Sequence, residues 1–534
     1  MLPDGSQHPR PPVHRERRER RDWTILPVHP LLAAAYPVIF LFALNIAEQV
    51  TLAPLWLPLG IAVFDTAMLF GILGLVLRDW QRAALLTTVL VAGFFGYGHA
   101  WTAVDELLDN QWPLIVAWLL VVGIGLVMAW RIGPSRLRTA TRILNAVSVF
   151  LVVFNLTTVI ASRPVLDFGG TPGNLTGLEL APPDPSDLPD VYFVILDRYA
   201  GSTALRETYD YDNEPFLTEL EARGFSVARN AHANHIKTPL SLASTLSMEP
   251  LDAEALKAQA TDGADRDPIQ RMLSQRLAVP AALKQIGYEY VHIGNWWTPT
   301  ATNVDADLTL VYQGQDQFGS VLAQTTFLRA LDDPASAPDD PWDWPVMREN
   351  NLYALDRLDE VTSLPGPKYV FAHLVTTHPP YVHNADGSYT GREQVARLGD
   401  RESYRRQLTY ANTRMLSFVD MVLARDPDAI IILQADEGPF PARYQGDDAW
   451  RFAWRDATPE ELEEKFGILF AMRVPEADLE AEGLHDAITP INTFRILFNA
   501  RFGTDLRLLP DQVWAHEDLY HFYDFFEITD RLRR

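Results

Sequence analysis

The sequence predicts two joined architectures: an N-terminal transmembrane region of five helices, then a three-layer α/β domain. Three observations carry that expectation. Five apolar stretches fall between Pro30 and Ser162, each long enough for a helix to cross a bilayer at roughly 20 residues per span. Past residue 189, short apolar runs alternate with helical patterns, the rhythm of a sheet covered by helices. Two of those runs end on acids, one on Asp197 and the other on the pair Asp436 and Glu437. In open α/β sheets ligands collect at the carboxyl ends of strands, so acids delivered there from distant chain positions can converge on one metal ion.

The apolar stretches are Pro30–Ala47, Leu52–Leu77, Ala83–Trp101, Trp112–Trp130 and Ile143–Ser162, and all but the second are free of Asp, Glu, Lys and Arg. Soluble core helices seldom run so far without charge. Flanking charge sets the expected orientation. Arg10, Arg15, Arg17, Arg18, Arg20 and Arg21 crowd a tail over residues 1–29, and Arg78, Arg82, Arg131, Arg136, Arg138 and Arg142 occupy alternate connections. Those sides face the cytoplasm by the positive-inside rule. Glu48, Asp105, Glu106 and Asp109 lie on the opposite side, and an odd number of crossings puts everything after Arg163 outside. Pro30–Ala47 is long for a signal h-region and no small-residue cleavage site follows it, so it reads as a retained first span of a multi-pass protein of the cytoplasmic membrane. Asp65, inside the second stretch, is an ionisable group at membrane depth, which marks either a functional site or a helix-packing hydrogen bond.

The two halves differ in charge. Up to Arg163 there are 13 Arg, no Lys and 10 Asp plus Glu, which leaves 32 basic and 59 acidic residues to the remainder. So acidic a domain repels nucleic acid, whose binding is driven by Lys and Arg neutralising phosphates. With no Cys in the chain, disulfides, thiolate metal sites and a cysteine nucleophile are excluded.

Residues 163–189 are rich in Pro, Gly and Asp without periodicity and form a linker. From 190 to 534 the pattern predicts strands at Val191–Leu196, Tyr288–Ile293, Tyr369–Val375, Ala429–Leu433 and Gly467–Met472. Helices are expected near Glu214–Arg223, Met347–Val361, Arg401–Ala424 and Thr489–Ala500. Asp332–Pro345 and Tyr444–Trp454 read as surface excursions.

Thr238 stands just before Pro239 at the head of an apolar helical pattern, an arrangement typical of an N-cap followed by Pro at the first helical position. A helix N-terminus offers unpaired N–H groups and the positive dipole end, suited to a phosphate and to a metal-bound hydroxyl of lowered pKa. His235 and Lys237 add donors. The Asp436–Glu437 pair can ligate a cation through oxygen. His373 and His378, ending another apolar run, can orient a phosphoryl oxygen or bind a second metal, and Gly294-Asn295-Trp296-Trp297 can wall a polar substrate. Each taken alone is as readily a cap, a surface charge, a buried imidazole or packing.

As an ordered set, these residues resemble the alkaline phosphatase superfamily, and within it the sulfatase-like branch that includes lipoteichoic acid synthases and other phosphoglycerol transferases. The resemblance extends to architecture, since that group has five membrane spans and a linker ahead of an extracytoplasmic catalytic domain. It implies that Thr238 is the nucleophile and that Asp197, Thr238, Asp436 and Glu437 hold a divalent metal. It also implies that His378, His373, Lys237, Asn295 and Trp297 lie on the substrate side. Glu437 departs from the pattern, which has His there, and no arginine follows the Gly-Asn-Trp segment closely. A carboxylate in place of an imidazole adds hard oxygen character, which favours manganese or magnesium and leaves zinc and calcium open.

The function that follows is a membrane-anchored, metal-dependent phosphotransferase, with membrane lipids around it and an anionic phospholipid or an envelope glycopolymer as substrate. Thr238 would attack a headgroup phosphodiester, and an acceptor hydroxyl would resolve the phospho-threonine. Two alternatives stand beside it. A phosphodiesterase or phosphatase of the same fold differs only in using water as acceptor, and a catalytically silent binding or scaffold protein is suggested by Glu437 and the missing arginine. A sulfatase is disfavoured because Thr238 cannot become the formylglycine that those enzymes require.

Overall fold

Five apolar helices open the chain: α1 (His29–Leu44), α2 (Ala53–Leu77), α3 (Trp80–Thr102), α4 (Trp112–Arg131) and α5 (Pro134–Ala161). The computed structural model describes residues 25–44, 52–104, 107–108, 110–161, 178–181, 188–274, 277–312, 317–331, 344–444 and 452–532. The Arg-rich tail, Glu48, Asp105, Glu106, Asp109 and most of the linker and of the two excursions expected from the sequence lie outside the described residues. Four helices, α2 to α5, are long and apolar enough to cross a membrane, while α1 is described over 16 residues only. α5 begins at Pro134, before the apolar stretch that predicts it, so Arg136, Arg138 and Arg142 fall in its first turns. Asp65 lies on an exposed flank of α2. α3 and α4 approach closely at Gly93, where a side chain would meet Val122, and there Trp118 Nε1 donates to the Gly93 carbonyl at 2.8 Å.

The second part is built on a seven-stranded sheet. Its strands are β1 (Val191–Leu196), β2 (Ser226–Val227), β3 (Glu289–Ile293), β4 (Leu308–Leu310), β5 (Lys368–Leu374), β6 (Ile430–Gln434) and β7 (Phe470–Arg473), in the spatial order β2-β7-β6-β1-β5-β3-β4. β6, β1, β5, β3 and β4 run parallel, and β7 and β2 close one edge antiparallel. Two further strands, β8 (Trp514–His516) and β9 (Phe525–Glu527), form a separate ribbon. The longer helices are α6 (Glu214–Ala222), α7 (Thr238–Ser247), α8 (Trp344–Val361), α9 (Asp400–Arg425), α10 (Pro459–Phe466) and α11 (Thr493–Phe502).

β1 is central and fully buried, which explains why Val191-Tyr-Phe-Val-Ile-Leu196 is a continuous apolar run with no polar alternation. Neighbouring residues of a strand point to opposite faces. Tyr192 packs edge-on against Phe418 of α9, while Phe193 packs against Phe494 of α11. Helices therefore cover both faces, and the domain has three layers. β2, β4, β8 and β9 escape prediction because each has three residues or fewer, too short for a period-2 signal.

Phe193 has no exposed surface and touches rings from both Phe371 and Phe494. Phe193→Ala should cost about 3–5 kcal/mol by leaving a ring-sized cavity, and Phe193→Leu should retain most of the stability. Thermal unfolding of the two full-length variants in detergent checks the ranking.

Candidate active site

Three adjacent parallel strands deliver the site. Ile195 of β1 pairs with His373 on β5 and with Gln434 on β6. Asp197 follows β1, with its backbone N–H donating to Leu374 O at 3.0 Å, and Asp436 follows β6 by two residues. The register therefore sets Asp197, His373 and Asp436 side by side, and one ligand atom from each lies within 4.8 Å of the others. All three side chains are buried, at 5%, 1% and 1% exposure.

Several of these atoms have no partner. Asp197 Oδ1, His373 Nε2 and both Asp436 carboxylate oxygens make no hydrogen bond, and His373 Nε2 stands 3.6 Å from Asp197 Oδ2. Buried polar atoms are nearly always satisfied, so a cluster of orphans at one point signals a missing partner. Thr300 Oγ1 lies 2.7 Å from His373 Nδ1 and Asn295 Nδ2 lies 3.0 Å from it. With Nδ1–H donated to the Thr300 hydroxyl, the Nε2 lone pair is free for a cation, the usual support for a metal-bound imidazole. Two carboxylates and one imidazole fit a divalent cation.

The charges agree. Burial pushes the Asp197 carboxyl up, but His378, His373 and the Arg198 guanidinium outweigh it and hold the group below the usual carboxylate range. Asp436 is pushed well above that range by burial and by the like charges of Asp197 and Glu437. Two buried carboxylates this close do not both ionise without a positive partner. The Thr238 hydroxyl offsets part of the Asp436 shift, although it completes a hydrogen bond to neither carboxylate oxygen.

Thr238 is the first residue of α7, and the capping position falls to Lys237, whose extended backbone (φ −137°, ψ 140°) makes no side-chain cap bond. The sequence expectation of Thr238 as the N-cap thus shifts by one residue. The chemical effect is that the hydroxyl is not spent on capping. Thr238 is half-buried and opens with Lys237, Asp197, His378 and Glu437 onto a cavity of about 1230 Å³. His235 is buried and turned away from that cavity, against Phe525.

The residues expected on the substrate side divide. His378, Trp297 and Lys237 line the cavity. His378 Nδ1–H donates to the Pro379 carbonyl, which leaves Nε2 as an acceptor, and burial first and Arg198 second push the ring down to about 3. A ring held neutral presents Nε2 as a hydrogen-bond acceptor rather than as the donor expected of it. His373 joins the acid cluster. Asn295 is fully buried; its Nδ2 donates to His373 O at 2.9 Å and its Oδ1 accepts from Trp297 N–H at 2.8 Å, so it braces the His373 backbone rather than a substrate. Glu437 turns from the cluster: its Oε1 lies 3.0 Å from Lys465 Nζ and 3.6 Å from Arg198 Nε. The preference for a hard cation rested on Glu437 as a ligand, and with His373 in its stead that reason lapses.

Arg198, Lys465, Arg266 and Arg401 were not anticipated. Arg198 follows Asp197 directly, and Arg198, Arg266 and Arg401 line the cavity that the sequence left without an arginine. Arg198 adopts a left-handed backbone (φ 60°), unusual for a side chain of its size. Tyr404 Oη holds the turn by donating to Arg198 O at 2.9 Å and accepting from Ala200 N–H at 3.0 Å. Only the position of Arg198 after a strand-end acid offered a signal, since the others lie far off in sequence.

Three buried side chains that could hold a metal ion, beside a helix-borne hydroxyl at the carboxyl edge of a sandwiched sheet, make this the candidate active site of an enzyme. The sulfatase family model matches residues 189–458, half of the chain, and the protein belongs to the sulfatase family, in the alkaline-phosphatase-like superfamily. No curated protein matches the sequence. Among solved structures, the C-terminal periplasmic domain of EptC from Escherichia coli is 14% identical, covering 66% of this chain and 97% of that one, with a TM-score of 0.40. The integral membrane lipooligosaccharide phosphoethanolamine transferase A from Neisseria meningitidis is 11% identical over 89% of this chain and 95% of that one, TM-score 0.39. The 2-O GAG sulfatase BT1596 is 12% identical over 62% and 78%, TM-score 0.37.

Because Asp436 must lose its proton to ligate a cation, metal affinity should rise with pH and binding should release protons. Calorimetric titration of manganese or zinc in two buffers of different ionisation heat measures that release. Asp436→Asn and His373→Ala should each weaken metal binding about 100-fold or more, by the loss of a ligand, whereas Glu437→Gln should change it little.

Proposed function

We propose that the protein is a membrane-anchored phosphotransferase that acts through Thr238 on the phosphodiester of a lipid headgroup or envelope polymer, outside the cytoplasmic membrane. The observation that carries the reading is a threonine hydroxyl at a helix N-terminus, not spent on capping, facing a large cavity beside three buried side chains that leave four polar atoms without a hydrogen bond. The Arg-rich connections of the N-terminal region support the outward placement of the domain, and the apolar helices would keep it at the bilayer surface.

Asp197, His373 and Asp436, with the Thr238 oxygen, would hold a divalent cation, whose chemistry when bound is to polarise the phosphate and lower the pKa of the hydroxyl. The Thr238 N–H and the positive dipole end of α7 stabilise negative charge on the phosphate oxygens. Thr238 Oγ1 bonds to phosphorus as the bond to the lipid alcohol breaks, and the threonine proton ends on the departing alcohol. An acceptor hydroxyl then bonds to phosphorus as the bond to the Thr238 oxygen breaks, and the acceptor's proton passes by way of His378 Nε2 to the departing Thr238 oxygen. Trp297 would wall the substrate where it borders the cavity.

Intact mass spectrometry of the full-length protein, incubated with metal and anionic phospholipid, should show an adduct that Thr238→Ala abolishes. Equal headgroup turnover by the two proteins would sink this reading.

A further inference from the structure

Phe440 gathers three cations. Lys465 Nζ lies 3.4 Å from its ring centroid, Lys237 Nζ 4.0 Å and Arg198 Cζ 4.6 Å. The ring is fixed in place by stacking on Tyr444 at 4.4 Å. Among the described residues, Glu437 is the one carboxylate within ion-pair distance of any of the three. Glu437 and Lys465 are buried to 2% and 0% exposure, and Lys465 also donates to Gly438 O at 2.9 Å. The aromatic face eases the crowding but supplies no net charge, so three basic side chains share one carboxylate within ion-pair distance. Arg198, Lys237, Glu437 and Phe440 share the cavity with Thr238.

A phosphodiester brings a single negative charge, and a cation at the acid cluster together with the N-terminus of α7 would already answer it. The surplus at Phe440 is built for something more. We propose that Arg198 and Lys237 form an anion seat beside the reacting phosphorus, so that the substrate carries two neighbouring anionic groups, one attacked by Thr238 and the other, in the manner of a diphosphate, held on the seat. Glu437 is then a positioning residue, which aims Arg198 and anchors the buried Lys465. A planar guanidinium and an ammonium side by side suit a tetrahedral oxyanion. The inference rests on the reading of Thr238 as nucleophile, but it is tested by binding alone.

The test is calorimetric titration of the metal-loaded, full-length protein in detergent with inorganic phosphate and with pyrophosphate, native mass spectrometry confirming that the metal is retained. Pyrophosphate should bind at least about tenfold more tightly than phosphate, about 1.4 kcal/mol. Arg198→Gln and Lys237→Gln should each reduce that preference to about threefold or less while phosphate affinity changes by less than about threefold, and Arg198→Lys should restore part of it. Should Arg198→Gln fail to fold, Lys237→Gln at the cavity wall decides alone. Equal affinity for the two anions, a preference that survives both neutral variants, or a parallel loss of both anions would each overturn the proposal. In Thr238→Ala the preference should persist, so failure of the nucleophile reading and failure of the seat are told apart.

Discussion

Like-charge repulsion among buried carboxylates governs this structure. Asp197 and Asp436 are carried to adjacent strand ends by a register that the sheet core enforces, and neither can retreat to solvent. Desolvation and mutual repulsion divide them, one held ionised and the other pushed toward its neutral form. An arrangement this unfavourable persists only where the rest of the fold over-determines it. The apolar pairing of β5, β1 and β6 supplies that determination, with Phe193 and Tyr192 locking the two faces of β1 into helices on either side. The site is therefore a stored electrostatic demand for a cation, and Thr238 stands where meeting that demand would also activate a hydroxyl.

Support for the demand is layered outward. Thr300 fixes the His373 ring through Nδ1, Asn295 Nδ2 donates to the His373 carbonyl and Asn295 Oδ1 accepts from Trp297 N–H, so the Gly294-to-Trp297 segment braces the His373 strand end first and the cavity wall second. On the opposite side, Tyr404 of α9 ties the strained turn at Arg198. Gly438 must be glycine for the same reason of close approach: a side chain there would meet the carbonyls of Glu464, Lys465 and Gly467 at the end of α10. That approach sets Lys465 against Glu437.

Much of this was legible in the sequence. The strand runs match β1, β3, β5, β6 and β7 within a few residues, because strands covered on both faces are written as largely unbroken apolar stretches. The acids at strand ends, and the threonine before a proline, stood out because position relative to an element is readable one element at a time. What was not legible was orientation. Nothing local distinguishes Asp436, which faces the cluster, from Glu437, which turns toward Lys465 twenty-eight residues away on another helix. Nor does anything in the His373 run say that its imidazole, rather than Glu437, completes the ligand set. Both depend on side-chain direction across strands, which only the register fixes. The shift of the cap from Thr238 to Lys237 is of the same kind, a single residue that decides whether a hydroxyl is committed or available.

The carboxylate at position 437 first suggested a site weakened or silenced by substitution. Its partners argue otherwise. An unpaired buried carboxylate beside Asp436 would deepen the repulsion there, and such charges are costly when left alone. Glu437 is instead neutralised by Lys465, whose ammonium burial pushes down to about 8 against the pull of that same carboxylate. The pair thus sets a buried ammonium close to the acid cluster and limits the push that the Glu437 charge still exerts on Asp436. Arg198 joins it from the residue after Asp197, so each of the two metal-facing acids is followed in sequence by a member of the ion-pair cluster. Where an imidazole would have added one more ligand to a single cation, the Glu437–Lys465–Arg198 arrangement spreads cationic character across the floor of the cavity. The departure from the family pattern is, on these contacts, a change in how negative charge is received and not a loss of the means to receive it.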